Sequence, residues 1–201
     1  MGITDRKERE KLEMRRLIMD AAMDMFVKDG YEKTSIRNIA DKIEYSPATI
    51  YLYYKDKDEL LWGLQGEAFD KLADIFNVGV TATEPIQQLR QLAKLYVEFG
   101  MNNPDLYDLM FIIRSPMNAE KNEEWRNGTN AFQFLMNVIQ SGMDKLKYKD
   151  VKIGALSCWS MVHGLVSLNV RGRCKVLELP EDKIQDMLMI ALDEYIDMIT
   201  K

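Results

Sequence analysis

The chain has 201 residues, 47% hydrophobic and 29% charged, which excludes both the low apolar content of a disordered chain and the long apolar runs of a membrane protein. Residues 1–16 are dense in charge and lack the apolar stretch of an export signal, so a cytoplasmic protein without membrane association is expected. Net charge is −5, and residues 1–60 carry 12 Lys and Arg against 13 Asp and Glu; a strongly basic nucleic-acid-binding domain is therefore excluded, and any DNA contact must come from where individual cations sit.

Apolar residues recur at helical spacing almost throughout, which predicts an all-α fold. Ile18, Ala21, Ala22, Met25 and Phe26 line one face of a first helix of about six turns, stopped by Gly30 in the left-handed conformation, with the charged residues before it weakly ordered. Ile36, Ile39, Ala40 and Ile43 mark a short second helix with Thr34 or Ser35 as its N-cap. Ser46 followed by Pro47 opens a third, to about Tyr54. Asp56 with Glu59 forms a capping-box pattern that starts a longer fourth helix toward Val78. Thr83-Glu84-Pro85 and Asn102-Asn103-Pro104 start helices to Met101 and Ile113. After a turn at residues 115–118, further helices are expected over 119–146, 151–171 and 180–199.

The second and third helices, joined by Glu44-Tyr45-Ser46 and packed on a longer first helix, have the dimensions of a helix-turn-helix lying between Thr34 and Lys57. Ile50 and Tyr54 suffice to anchor the third helix. Thr49, Tyr51, Leu52 and Tyr53 are then left for other contacts, and Lys55 and Lys57 sit at the next turn beside the free N–H groups of the fourth helix, where phosphate is favoured. The same spacing also fits a plain helical corner inside a bundle.

The run from Phe26 to Ala40 (FVKDGYEKTSIRNIA) and that from Ser46 to Leu60 (SPATIYLYYKDKDEL) resemble the DNA-binding domain of the TetR, or tetracycline repressor-like, family over about the first 60 residues. The resemblance implies a homodimer with a helix-turn-helix domain at residues 1–56 and a helical effector-binding and dimerisation domain at 57–201. It places Thr34, Ser35, Tyr51, Tyr53 and Lys57 on phosphate and Pro47, Ala48, Thr49 and Leu52 toward bases; Arg37, Ser46 and Lys55 complete the DNA-facing set. The operator is then a partial palindrome of double-stranded DNA. One departure stands out: the family usually has Gly where this chain has Glu44, so either a non-glycine residue takes the left-handed conformation or the turn differs locally.

The segments around Asn103–Phe111 and Trp159–Leu165 resemble one branch of the same regulators. Tyr96, Phe99, Tyr107, Met110, Phe111, Trp125, Phe132, Met136, Trp159 and His163 are candidates to line a pocket for a small apolar or aromatic effector, although such residues also serve as ordinary core. The stripe Ile184, Leu188, Leu192, Tyr195 and Ile199, with Leu156, either closes the core or, as the resemblance implies, pairs with a second copy. Two cysteines without paired spacing and one histidine point to no disulfide framework and no metal, and no cofactor is expected. Nucleophile–base pairs in recognisable context and phosphate-binding glycine loops are missing, so an enzyme is not expected. The resemblance implies instead a transcription regulator, read as a repressor released by the small effector, with activation the alternative the sequence leaves open. The other reading is a DNA-binding protein of this kind that acts structurally or through a protein partner, with no small effector.

Overall fold

The structure is a computed structural model that describes residues 3–111, 113 and 128–201. Among these residues the chain is all-α: α1 (Ile3–Lys28), α2 (Ile36–Lys42), α3 (Pro47–Tyr51), α4 (Lys57–Gly79), α5 (Pro85–Asn102), α6 (Pro104–Phe111), α7 (Thr129–Ser141), α8 (Val151–Val170), a 3₁₀ turn (Arg173–Leu177) and α9 (Glu181–Ile199). The expected turn at 115–118 and the start of the helix expected over 119–146 lie outside the described residues.

The chain packs as two compact units. The first takes in the chain up to Ala68 and the segment beginning at Tyr107; the second takes in Phe69–Leu106 and the described chain from Gly128 onward. The division between these units falls inside α4, one continuous helix that supplies buried residues at both ends, Leu60, Leu61 and Leu64, then Leu72 and Phe76.

In the first unit Ile18, Ala21, Ala22 and Phe26 of α1 are buried, together with Ile39 and Ala40 of α2, and Gly30 ends the α1 segment at φ 88°. The charged N-terminus departs from expectation: α1 already begins at Ile3. The i, i+4 pairs Arg6–Glu10, Arg9–Glu13 and Arg16–Asp20 explain this, each contributing a few tenths of a kcal/mol to an otherwise solvated helix.

In the second unit α5 is the central helix, burying Leu89, Leu92, Tyr96, Val97 and Phe99 against α7, α8 and α9. Arg90 ties α5 to α9 by donating to Asp193 at 2.7 Å and to Asp197. The helix expected to run to Leu146 stops at Ser141: Gly142 ends it, and Leu146 instead makes an antiparallel bridge with Thr200, with the Lys147 N–H on the Ile199 carbonyl at 2.8 Å.

Candidate nucleic-acid interface and effector site

Local chemistry sets the two short helices. At the start of α2 the Ser35 hydroxyl accepts from the Asn38 N–H at 3.2 Å while the Asn38 side chain accepts from the Ser35 N–H at 3.1 Å, a reciprocal cap that satisfies two otherwise orphaned donors. Ser46 caps α3 by accepting from the Thr49 N–H at 3.2 Å, and Pro47 occupies the first helical position, where its missing N–H is no loss. Between them the Tyr45 N–H reaches back to the Ala40 carbonyl at 3.0 Å, and Glu44 stands at φ 60°. Glu44 thus takes the left-handed conformation, which disfavours a side chain by about 1–2 kcal/mol. Glu44→Gly is therefore expected to raise stability by about 1 kcal/mol, read as a higher melting temperature; an unchanged or lower one would show that the turn is not strained.

α3 is only five residues long and is anchored by Ile50, which is fully buried, and by Tyr54 just beyond it. Its outward residues are then free of the core: Tyr51 is 55% exposed and Leu52 80% exposed. Ala48 is exposed, Pro47, Thr49 and Tyr53 are half-buried, and Ser35, Arg37, Ser46 and Lys55 are exposed around the motif. The structure therefore brings ten of the twelve expected DNA-facing residues to accessible positions in the first unit.

The other two are used internally. Thr34 is 2% exposed, and its hydroxyl donates to the Gly30 carbonyl at 2.9 Å, beside the Met25 carbonyl at 3.3 Å; it closes the C-terminal end of α1 and does not face phosphate. The Lys57 ammonium donates to the carbonyls of Tyr31 at 2.8 Å and Thr34 at 3.0 Å and lies 4.0 Å from the centroid of the Tyr31 ring. The N-terminus of α4 is likewise occupied: Asp56 accepts from the Glu59 N–H at 2.8 Å, and Asp58 and Glu59 place negative charge in its first turn, which opposes the phosphate contact expected there. Tyr31 and Asp58 were not singled out from the sequence, yet the Tyr31 hydroxyl donates to the Asp58 carboxylate, and burial followed by that carboxylate pushes the phenol well above its usual range. The Lys-Asp-Lys-Asp-Glu run from Lys55 to Glu59 is the signal that points to such pairing.

Of the pocket candidates, four meet in the second unit. The Tyr96 hydroxyl and His163 Nδ1 are 3.2 Å apart, the Trp159 and His163 ring centroids 6.2 Å, and those of Trp159 and Phe132 5.8 Å. Phe99 is buried and Met136 half-buried in the same unit. Tyr107, Met110 and Phe111 belong to the first unit, where the Tyr107 and Phe111 rings pack at 4.8 Å; Trp125 lies outside the described residues.

Burial pushes His163 below its usual 6.5. The unfolded chain then binds a proton that the folded one resists, so stability is expected to fall as pH drops through and below 6.5, and His163→Gln to flatten that limb of the melting curve between about pH 7 and 5. Equal slopes for both proteins would contradict it.

The expected association stripe faces the other way. Ile184, Leu188, Leu192 and Ile199 are buried within the chain's own second unit, and Tyr195 is half-buried with its hydroxyl 2.8 Å from that of Tyr148. They cannot also be offered to a partner; of the six, only Leu156 is exposed. The exposed apolar residues on these helices are instead Ile153, Leu156, Trp159 and Leu168 on α8 and Met187, Ile190 and Met198 on α9, so Trp159, a pocket candidate, is open to solvent in the single chain. Burial pushes the nearby Cys158 thiol up to about 11, so it is not a thiolate at neutral pH and a redox role gains no support.

Two short capped helices, the second with solvent-facing side chains, have the form of a helix-turn-helix. The family model described as "Bacterial regulatory proteins, tetR family" matches residues 18–62, and that described as "Tetracyclin repressor-like, C-terminal domain" matches residues 89–194. The second match alone covers more than half the chain, and the chain belongs to the TetR family. It is 33% identical over 92 residues to the HTH-type transcriptional regulator YuxN of Bacillus subtilis (strain 168), covering 45% of this chain and 30% of that protein. It is 30% identical over 99 residues to the HTH-type transcriptional repressor KstR of Mycobacterium tuberculosis, covering 49% of this chain and 45% of that protein. The chain thus spans less than half the length of these curated relatives. The fold is shared with the fatty acid degradation regulator FadR of Bacillus halodurans, with a TM-score of 0.72 at 18% identity over 89% of this chain and 93% of that one.

Proposed function

We propose that the chain is a cytoplasmic repressor that binds a partially palindromic operator as a homodimer and leaves it when a small, mainly apolar or aromatic molecule binds the second unit. The observation that carries the DNA reading is Leu52: a leucine 80% exposed on a helix anchored by Ile50 is stabilised by nothing in the chain itself and suits apolar contact with a thymine methyl in the major groove. Thr49 and Tyr51 supply hydroxyls beside it, and Lys55 and Arg37 supply cations.

For the second copy the support is α8. It is long and apolar enough to span a membrane, yet less than a third of its apolar stretch is buried within the chain. A partner helix would cover the remainder, and Gly164 on α8 has open space where a Cβ would stand, which suits the close approach of another backbone. For the effector, the support is the Tyr96–His163 pair, two polar groups set among Phe132 and Trp159. The Gln65 amide on α4 donates to the Leu109 carbonyl of α6 at 2.9 Å, so a displacement of α6 is transmitted to α4 through a hydrogen bond as well as by packing.

Selection of duplexes from a random library by the purified full-length protein tests the reading. An enriched inverted repeat is the expected outcome; no enrichment over input would overturn it.

A further inference from the structure

We infer that Lys57 and Tyr31 act as a clamp that closes the helix-turn-helix on itself, making them positioning residues for sequence-specific DNA binding and not contacts to phosphate. The inference rests on the DNA-binding reading above. Lys57 is the first residue of α4, and its partners, the carbonyls of Tyr31 and Thr34, lie in the connection between α1 and α2. Thr34 immediately precedes the Ser35 cap of α2, so one ammonium joins the residue before the motif to the residue after it. Everything between them, α2, the Glu44 turn and α3, becomes a closed loop of chain. Asp58, next along α4, accepts from the Tyr31 hydroxyl, and the Tyr31 ring packs on Phe26 of α1 with centroids 5.2 Å apart, so the loop is closed onto the long first helix.

The same geometry argues against a phosphate role. A lysine has three N–H donors, and Lys57 directs two of them at carbonyls while its charge rests against the Tyr31 ring. One N–H is left over, and an ammonium already held by two carbonyls and a ring face gains less from a phosphate than a solvated one does. Lys55 is the exposed lysine at the same corner, and its ammonium takes part in no salt bridge among the described residues. Loss of the clamp leaves α3 anchored by Ile50 and Tyr54 but able to tilt against α1. That lowers affinity where base edges must be met and leaves the count of neutralised phosphates unchanged.

Salt dependence separates the two roles, because each phosphate contact contributes about 0.9 to the slope of log affinity against log salt. Binding of the full-length protein is measured over a salt series, with the duplex recovered by selection and with a random-sequence duplex. Lys57→Met is expected to weaken binding to the selected duplex on the order of tenfold, with wild-type slope and random-duplex affinity within about twofold of wild type. Lys55→Met is expected to weaken both duplexes and to lower the slope by about one unit for each lysine removed. Tyr31→Phe deletes only the hydroxyl that Asp58 accepts, and it is expected to reproduce the Lys57→Met pattern in weaker form; it decides the matter should Lys57→Met melt below the assay temperature. A slope lowered in Lys57→Met as in Lys55→Met, or wild-type binding of the selected duplex by folded Tyr31→Phe, overturns the clamp. Failure of the wild-type protein to select any duplex would instead overturn the DNA-binding reading itself.

Discussion

Leu192→Glu is expected to unfold the second unit, whereas Ile190→Glu, two residues away, is expected to leave it folded and abolish self-association. Leu192 is 3% exposed and sits on the buried face of α9 with Leu188, Ile196 and Ile199. A carboxylate there loses its hydration without gaining a partner, and burial of an unpaired charge together with lost apolar packing costs about 4 kcal/mol or more, a large share of the roughly 5–15 kcal/mol that holds a domain. Ile190 is 58% exposed, so within one chain a glutamate there meets water and costs little. In a two-fold assembly the same glutamate is buried twice and faces its own copy. Thermal melts should therefore collapse for Leu192→Glu alone, and sedimentation should give a folded monomer for Ile190→Glu alone. A folded, monomeric Leu192→Glu and a dimeric Ile190→Glu would show that α9 presents its faces the other way round.

Ile50→Ala is expected to remove operator binding through the fold, and Leu52→Ala through the interface. Ile50 is fully buried and, with Tyr54, is what holds a five-residue helix, since so short a helix has almost no stability of its own. Truncating a buried isoleucine costs about 2–5 kcal/mol, so the first unit should melt lower and selected and random duplexes alike should be bound poorly. Leu52→Ala removes atoms that touch little within the chain, so the melting temperature should hold while discrimination in favour of the selected sequence falls by about 1–3 kcal/mol at one base step. Loss of thermal stability in Leu52→Ala would mean that this side chain packs inside the protein.

Much of the fold was legible because it is written in periodicity and caps. The apolar spacing in α1, the Ser35 and Ser46 caps, Pro47, Pro85 and Pro104 at helix starts and Gly30 at a helix end all act within a few residues of where they stand. Which face of a helix meets which neighbour is not local, and there the sequence was ambiguous. α9 carries two apolar stripes, and the richer one, Ile184 to Ile199, is the one a single chain needs for its core; the sparser Met187, Ile190 and Met198 are left outside. Lys57 shows the same limit in polar form. A lysine at the end of a reading helix suits phosphate by position, and only the fold reveals that the carbonyls of Tyr31 and Thr34, 26 and 23 residues back, reach it first. Thr34 follows the same rule: it suits phosphate by position, and only the fold reveals that a carbonyl four residues earlier takes its hydroxyl. The aromatic and His163 candidates were found by type, and the structure brought Tyr96, Phe132, Trp159 and His163 together because α5, α7 and α8 pack side by side.

The central claim is that two copies of α3 read one operator. Hydroxyl-radical footprinting of the full-length protein on the selected duplex tests it most directly. Two protected patches related by a two-fold axis, with centres separated by roughly one helical turn or a multiple of it, are the expected result. They should be absent with Leu52→Ala at protein concentrations that saturate the wild type. A single protected half-site, or an unchanged pattern with Leu52→Ala, would contradict the account.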